Sequence, residues 1–161
     1  MGKTKKQVVK RAEDMSGYLV KRAQAVINLS LEEIVSRHGL GIPHYVVLAF
    51  LAETPGLPNA ELARKAFVTP QSMNEVLQQL EASGLVERRP SPSNARILNA
   101  QLTQTGERKW RSVNDDVLEL EERLLLGLSR DEVRALNRSL QTIIRNMTPS
   151  PEAHQTNTRQ R

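Results

Sequence analysis

The sequence of 161 residues predicts a mainly α-helical fold with one small β-hairpin. Apolar residues recur at three- and four-residue steps through most of the chain, which is the spacing of one face of a helix. The period changes to two only over residues 85–103, which is the alternation typical of strands. Long helical segments lie on both sides of that stretch, so the hairpin is expected to be flanked by long N- and C-terminal helices.

The first two helices are marked by stop and start signals. An apolar stripe at helical spacing predicts a helix over 16–37, and Gly39 provides its stop. Pro43 suits the first turn of a second helix, because the N–H that proline lacks has no helical partner there. This second helix carries the apolar run 45–52 and is expected to end near Pro55.

Two shorter helices are predicted next. Asn59 is a favourable N-cap for the first of them. Thr69 and Pro70 begin the second, with threonine at the cap and proline at the first helical position, and Gly84 ends it. The inner stripe of this second short helix is Met73, Val76, Leu77 and Leu80. Its opposite face is polar and consists of Gln71, Ser72, Asn74, Glu75, Gln78 and Gln79.

A β-hairpin follows these helices. Residues 85–89 and 97–103 alternate between apolar and polar side chains and are predicted to be strands. The segment 90–95 is rich in proline and serine and is predicted to be the loop between them. The arginines expected around the tip of the hairpin are Arg88, Arg89 and Arg96.

Two long helices complete the predicted fold. Apolar stripes at helical spacing indicate one helix over 104–127 and another over 130–147. Ser129 and Glu132 match a capping box at the start of the last helix. A short lobe cannot cover all of the long stripes, so these helices are expected to pack on each other or on a second copy of the chain.

Composition excludes several classes of protein. The chain has no cysteine, which removes disulfides, cysteine–zinc sites and thiol-based redox sensing. No apolar run is long enough to span a bilayer, so a soluble cytoplasmic protein without a membrane partner is expected. The three histidines are scattered and no glycine-rich phosphate loop is present. We therefore expect no enzyme activity, no metal site and no cofactor.

The net charge of +5 is unevenly distributed along the chain. Residues 1–11 hold five basic residues and no acidic one, whereas residues 64–111 hold eight basic and four acidic residues. The excess of positive charge within the body of the protein therefore lies on the short helices and the hairpin. Residues 1–15 are predicted to be a flexible basic arm that adds non-specific phosphate contacts, and residues 148–161 a flexible tail.

Two short helices followed by a basic hairpin form a winged helix-turn-helix. The major groove of B-DNA admits one α-helix, and amide side chains such as those on 69–83 can form two hydrogen bonds with adenine. An arginine at a hairpin tip can enter a minor groove, whose negative potential attracts it. The alternatives are that the polar helix face is an ordinary solvated surface, and that Arg88 or Arg89 pairs with Glu81 or Glu87.

Five short motifs occur together in this chain. They are Asn59-Ala-Glu-Leu-Ala-Arg, Val68-Thr-Pro-Gln-Ser-Met, Gly84-Leu-Val-Glu-Arg-Arg, Leu102-Thr-Gln-Thr-Gly and Leu128-Ser-Arg-Asp-Glu. The combination, with the helices around it, resembles the MarR family of bacterial transcriptional regulators over residues 16–147. The wing loop of that family usually carries Asp-x-Arg. The matching positions here are Asn94 and Arg96, so the arginine is kept and the aspartate is replaced.

The resemblance implies a homodimeric regulator, most simply a repressor, that binds double-stranded DNA at a near-palindromic operator. It implies dimerisation helices at 16–38 and 104–147 and a winged lobe at 43–103. The recognition helix would contact DNA through Thr69, Pro70, Gln71, Ser72, Asn74, Glu75 and Gln78. The wing would contact DNA through Arg88, Arg89, Asn94 and Arg96, and the DNA backbone would be contacted by Arg64 and Lys65.

The resemblance also implies a small aromatic or phenolic acid as an effector, bound between the dimerisation helices and the winged lobe. Tyr18, His44 and Trp110 would border such a pocket. The residues themselves favour the alternatives, in which Tyr18 and Trp110 are core or interface residues and His44 is a surface residue or one satisfied within the protein. Glu75 supports a different hypothesis, a winged-helix module that binds protein. A carboxylate on a DNA-facing helix repels phosphate unless it accepts a hydrogen bond from cytosine.

Overall fold

The computed structural model of the protein describes residues 11–148, and within them the predicted helical fold with a small hairpin is confirmed. The helices are α1 (Ser16–Arg37), α2 (Ile42–Glu53), α3 (Asn59–Lys65), α4 (Pro70–Ala82), α5 (Gln104–Leu124) and α6 (Arg130–Met147). The strands are β1 (Leu57–Pro58), β2 (Val86–Ser91) and β3 (Asn94–Leu102). A 3-10 turn at Ala12–Asp14 precedes α1. Most of the predicted arm 1–15 and of the predicted tail 148–161 lies outside the described residues.

The chain divides into two compact units, one ending at Glu121 and the other beginning at Glu122. The core of the first unit is built by α2, α3, α4 and the sheet, because each of these elements turns an apolar face inward. Its fully buried side chains include Leu48, Leu51, Leu62, Met73, Leu77 and Leu80. Among the described residues, no single helix has the length and apolar composition needed to cross a membrane. Only α1 and α2 taken together, across a bend of 82°, reach that composition.

The hairpin is longer than its sequence pattern predicts. In the antiparallel pair β2 and β3, Val86 lies opposite Leu102 and Pro90 lies opposite Leu98. β2 continues to Ser91 and β3 begins at Asn94, so both strands extend into the segment predicted to be loop. Cross-strand pairing, rather than local alternation, therefore sets the length of the wing.

A third strand, β1, completes the sheet in the order β1-β3-β2. β1 pairs antiparallel with β3, with Leu57 opposite Ala100 and Pro58 opposite Asn99. It is absent from the sequence prediction, because two residues are too few to carry an alternating pattern. Its pairing ties the segment before α3 to the base of the wing.

Asn59 does not cap α3, contrary to the prediction. Pro58 occupies the N-cap position, and Asn59 is the first helical residue. The Asn59 Nδ2 donates a hydrogen bond to the carbonyl oxygen of Pro70 at 3.0 Å. The side chain therefore links the start of α3 to the start of α4, which become neighbours only in the folded chain.

The unit from Glu122 onward contains the end of α5, a turn and α6. Gly127 has a φ of 87° in the turn, and α5 ends at Leu124 instead of continuing to 127. The predicted capping box is confirmed, because Ser129 Oγ accepts from the N–H of Glu132 while the Glu132 carboxylate accepts from the N–H of Ser129. Hydrogen bonds from the hydroxyl and then the N–H of Ser129 hold the pKa of Glu132 below its ordinary value. The apolar residues exposed on α6 are Leu136, Ile143, Ile144 and Met147.

Phe67 has a positive φ of 55° in the turn between α3 and α4, and its side chain is 85% exposed. The left-handed region costs an L-residue roughly 1–2 kcal/mol, whereas asparagine adopts it more readily. Phe67→Asn is therefore expected to raise the free energy of unfolding in urea by about 0.5–1 kcal/mol. Phe67→Ala removes the ring but keeps the strained Cβ, so it is expected to bring no such gain. Equal gains in both variants would assign the effect to the exposed ring instead.

Candidate nucleic-acid interface

α4 begins with the cap that its sequence predicts. Thr69 is the N-cap, and its Oγ1 accepts a hydrogen bond from the N–H of Ser72 at 3.1 Å. Pro70 follows at the first helical position, where the missing N–H would have had no helical acceptor. Two adjacent residues thereby define where the helix starts, and the start determines which side chains point inward.

The two faces of α4 differ in burial as the sequence predicts. Met73, Leu77 and Leu80 are buried in the core of the lobe. Asn74 is half-buried at the edge of the outer face. The exposed polar residues of that face are Gln71, Ser72, Glu75, Gln78 and Gln79. α4 therefore presents amide and hydroxyl groups along one exposed helix face, which is a surface that a major groove can receive.

Arg88 does not lie at the tip of the hairpin, contrary to the prediction. It lies opposite Ala100 on β2, and its guanidinium turns back toward α4. The Arg88 Nε donates to Glu81 Oε2 at 2.7 Å, and Nη1 donates to Asn74 Oδ1 at 2.8 Å. The alternative pairing of Arg88 with Glu81 is thus confirmed, and only 17% of the arginine side chain is exposed.

Arg89 forms the other alternative pair, with Glu87, but remains open to solvent. The Arg89 Nη2 lies 2.8 Å from Glu87 Oε1, and 66% of the arginine side chain is exposed. Gln101 Nε2 donates to the same carboxylate oxygen at 2.6 Å. The hydrogen bond from Gln101, and then that from Arg89, hold the pKa of Glu87 below its ordinary value. The guanidinium of Arg89 is therefore still accessible to an external anion.

The tip of the wing is shaped by a local hydrogen bond. The Asn94 Oδ1 accepts from the backbone N–H of Arg96 at 3.0 Å, as in an Asx-turn. Asparagine thereby supplies the acceptor that an aspartate would supply, without its charge. Arg96 is exposed, and its guanidinium makes no hydrogen bond or ion pair with the described part of the chain.

Two further cations lie on α3, the helix that precedes α4. The Arg64 Nη2 is 3.8 Å from Glu61 Oε1, and 75% of the Arg64 side chain is exposed. The Lys65 Nζ lies 5.3 Å from the centroid of the Phe50 ring, within the range of a cation–π contact. Exposed ion pairs of this kind are weak, so Arg64 remains available to another anion.

A cavity of about 460 Å³ lies between the end of α1, the start of α2, α4 and α5. Its polar lining residues are His38, His44, Gln79, Ser83 and Lys109. The N–H of Gly41 donates to His44 Nδ1 at 3.1 Å, so the proton of the neutral ring resides on Nε2. That Nε2 then donates to Gln79 Oε1 at 2.7 Å. His44 therefore connects the cavity to the recognition helix candidate, α4.

A second contact fixes the other histidine of the cavity. The His38 Nε2 and Asp116 Oδ2 are 2.8 Å apart and join the end of α1 to α5. Of the three residues suggested for a pocket, His44 lines this cavity. Tyr18 is 45% exposed on α1, and Trp110 packs against the buried residues of the lobe. The sequence did not predict His38, Gln79 and Lys109 as lining residues, because they lie in separate segments of the chain and share no local pattern.

Comparisons with known proteins add to this geometry. A family model described as the MarR family matches residues 38–97. The HTH-type transcriptional repressor Rv2887 of Mycobacterium tuberculosis is 39% identical over 127 residues, which cover 79% of this chain and 91% of that protein.

Two crystal structures of Rv2887 are also similar to the fold. The complex with DNA has a TM-score of 0.66 and 37% identity, and the match covers 80% of this chain and 97% of that one. The complex with p-aminosalicylic acid has a TM-score of 0.65 and 38% identity, and the match covers 80% of this chain and 98% of that one.

Within the described residues, no group of three or more side chains suited to binding a metal occurs.

Proposed function

The chain belongs to the MarR family, and from that premise we propose that it is a sequence-specific DNA-binding repressor that acts as a homodimer on a near-palindromic operator. The observation that carries the proposal is the presence, on one lobe, of an exposed polar helix face and an exposed arginine, Arg96, at the wing tip. A helix suits the major groove, and an arginine suits the minor groove beside it. The related repressor Rv2887 has been solved in complex with DNA.

The proposed major-groove contacts come from the N-terminal half and outer face of α4. Gln71 is exposed in the first turn and can form hydrogen bonds with a base edge. Glu75 is exposed on the same face, where its carboxylate can accept from the N4 amino group of cytosine. The remaining proposed contacts of this helix are Thr69, Pro70, Ser72, Asn74 and Gln78.

The proposed wing and backbone contacts are the cations that remain accessible. Arg96, positioned by Asn94, is proposed to enter the minor groove. Arg89, Arg64 and Lys65 are proposed to contact phosphates, which raise affinity without reading sequence. Arg88 is already engaged within the protein, and a different role is argued for it below.

Homodimerisation is supported by apolar helix faces that the single chain leaves exposed. On α1 the exposed apolar residues are Tyr18, Leu19, Val20, Val26 and Leu29. The α6 helix, in the second unit, separately exposes Leu136 and Ile143. Faces of this kind are typically covered by a partner, and a two-fold dimer would place two α4 helices about 34–36 Å apart, which is one turn of DNA.

We propose that a small aromatic acid binds in the cavity lined by His38, His44 and Lys109 and regulates DNA binding. The lysine ammonium is suited to a carboxylate, and Leu40 and Leu80 supply apolar surface for a ring. The complex of Rv2887 with p-aminosalicylic acid is consistent with such a ligand. The hydrogen bond from His44 to Gln79 offers a direct path from this cavity to α4.

The test of DNA recognition is selection of duplexes from a randomised library by the purified full-length protein. We expect two half-sites one turn apart. Gln71→Ala should reduce discrimination at one base pair of each half-site by roughly 1–3 kcal/mol. Arg96→Ala should weaken binding with little change in major-groove preference. Gln104→Ala, an exposed glutamine outside the proposed interface, is the control and should select the wild-type site.

Two outcomes would contradict this proposal. Wild-type selection by Gln71→Ala would remove the recognition role of the α4 face. Failure of the wild-type protein to retard any duplex at low salt would favour the alternative, a winged-helix module that binds protein, for which the exposed Glu75 is the supporting feature.

The effector proposal predicts that Lys109→Gln weakens binding of p-aminosalicylate, used here as a probe. Loss of a hydrogen bond between charged groups is expected to cost about 1.5–3 kcal/mol of binding free energy in calorimetric titrations. Arg108→Gln is the matched control, because Arg108 is exposed and does not line the cavity. Equal losses in the two variants would indicate a general effect of charge and would exclude the cavity as the specific site.

A further inference from the structure

Arg88 is the most fully engaged arginine of the wing. Its Nε and Nη2 lie 2.7 Å and 2.5 Å from Glu81 Oε2, and its Nη1 lies 2.8 Å from Asn74 Oδ1. Both partners belong to α4, whereas Arg88 belongs to β2, so one guanidinium joins the wing to the helix. Its side chain is 17% exposed, compared with 66% for the neighbouring Arg89.

These contacts constrain the carboxamide of Asn74. The Oδ1 receives a charge-assisted hydrogen bond from Arg88, and such bonds are stronger than those between neutral groups. The planar amide is thereby oriented with its oxygen toward the arginine and its Nδ2 away from it, and the Nδ2 donates no hydrogen bond to the described residues. Asn74 is half-buried at the edge of the outer face of α4, so part of its side chain is accessible to a ligand there.

We propose that Arg88 is a positioning residue that makes Asn74 a hydrogen-bond donor toward a base edge, an inference that rests on the proposed reading of DNA by α4. A donor is complementary to guanine, whose N7 and O6 both accept in the major groove. Adenine fits less well, because its N6 amino group would have to share the Asn74 oxygen that already accepts from Arg88. The site opposite Asn74 is therefore expected to be guanine rather than adenine.

A positioning role for Arg88 has different consequences from a phosphate contact. A phosphate contact is largely satisfied by any cation, adds to the salt dependence of binding and carries no sequence information. A positioning role depends on the forked geometry of the guanidinium, which lysine cannot reproduce. Glu81 already neutralises the charge of Arg88, so its removal is expected to change which base is preferred more than how steeply affinity depends on salt.

The experiment is selection from a randomised duplex library at two salt concentrations. It uses the full-length wild type, Asn74→Ala, Arg88→Ala, Arg88→Lys and the double variant Asn74→Ala/Arg88→Ala. We expect the three single variants to lose the preference for the same base pair by about tenfold. The double variant should lose no more than Asn74→Ala alone, and the salt slope should stay at the wild-type value in all of them.

Arg89→Ala is the comparator, because Arg89 is the adjacent arginine and is open to solvent. It is expected to weaken binding to all sequences and to reduce the salt slope by about one, as for a phosphate contact. The same behaviour in Arg88→Ala, or wild-type preference in Arg88→Lys, would overturn the positioning role. Selection of adenine at the pair controlled by Asn74 would overturn the donor assignment.

Two measurements, site selection by the wild type and its dependence on Arg88, separate failure of the proposed DNA-binding function from failure of the positioning role. If the wild type selects no sequence, the proposed function fails and this inference falls with it. If the wild type selects a site that depends on Asn74 but not on Arg88, the inference alone fails. Should Arg88→Ala lose its fold by circular dichroism, Arg88→Lys decides, because it keeps a cation beside Glu81.

Discussion

Replacing Gly106 with alanine is expected to destabilise the protein by about 3 kcal/mol or more. Gly106 is buried at the third position of α5, and a Cβ there would lie 1.9 Å from the carbonyl oxygen of Leu85 and 2.9 Å from its carbonyl carbon. Both atoms belong to the backbone, so a rotamer change cannot relieve the clash.

The start of α5 is also held in place by its cap. The Thr103 Oγ1 accepts from the N–H of Gly106 at 3.0 Å and donates to the carbonyl oxygen of Gly84 at 2.7 Å. Moving α5 away from Leu85 to accommodate a methyl group would break these hydrogen bonds. The motif Leu102-Thr-Gln-Thr-Gly therefore has a structural role. Thr103 forms hydrogen bonds at the start of α5 and to Gly84, and Gly106 lets α5 lie close to the backbone of Leu85.

The measurement is urea denaturation followed by circular dichroism, at one protein concentration because a dimer would make stability concentration-dependent. Gly17→Ala is the matched control. Gly17 also lies in a helix, α1, but nothing lies within 4 Å of a Cβ built there. That variant is expected to be more stable by up to about 1 kcal/mol. A Gly106→Ala protein as stable as the wild type would show that the two backbones are farther apart than described.

Leu77→Ala is expected to lower the free energy of unfolding by about 2–5 kcal/mol. Leu77 is 0% exposed and packs in the core shared by α2, α3, α4 and the sheet. The truncated side chain would leave a cavity beneath the recognition helix candidate, so binding to a selected duplex should also weaken. The reason is that the outer face of α4 keeps its orientation only while the inner face is packed.

Gln78→Ala is the stability control for this variant, because Gln78 is the next residue on α4 and is exposed. Its free energy of unfolding should stay within about 0.5 kcal/mol of the wild type. If Leu77→Ala were equally mild in urea denaturation, the inner face of α4 could not be what holds the helix on the lobe.

Helix boundaries with strong local signals could be predicted from the sequence. The predicted ranges 16–37 and 130–147 agree with α1 and α6. Thr69 and Ser129 cap α4 and α6 as predicted. Capping hydrogen bonds join residues only three positions apart, so short stretches of sequence contain all the information they require.

Interactions between distant segments could not be predicted in this way. The strand β1 exists because Leu57 and Pro58 pair with β3, and two residues have no pattern of their own. Asn59 does not cap α3, and its side chain instead donates a hydrogen bond to the carbonyl oxygen of Pro70. The cavity beside α4 brings together His38, Gln79 and Lys109, which belong to three separate segments of the chain.

Periodicity, caps and short motifs are enough to predict the succession of helices and hairpin, the polar outer face of α4 and the resemblance to one family. Which polar side chains remain free to bind another molecule depends instead on how the chain folds. Arg88 is engaged by Asn74 and Glu81, whereas the guanidinium of Arg96 is exposed. A hydrogen-bonding side chain is engaged or free according to its neighbours in space, and folding brings those neighbours together from distant parts of the sequence.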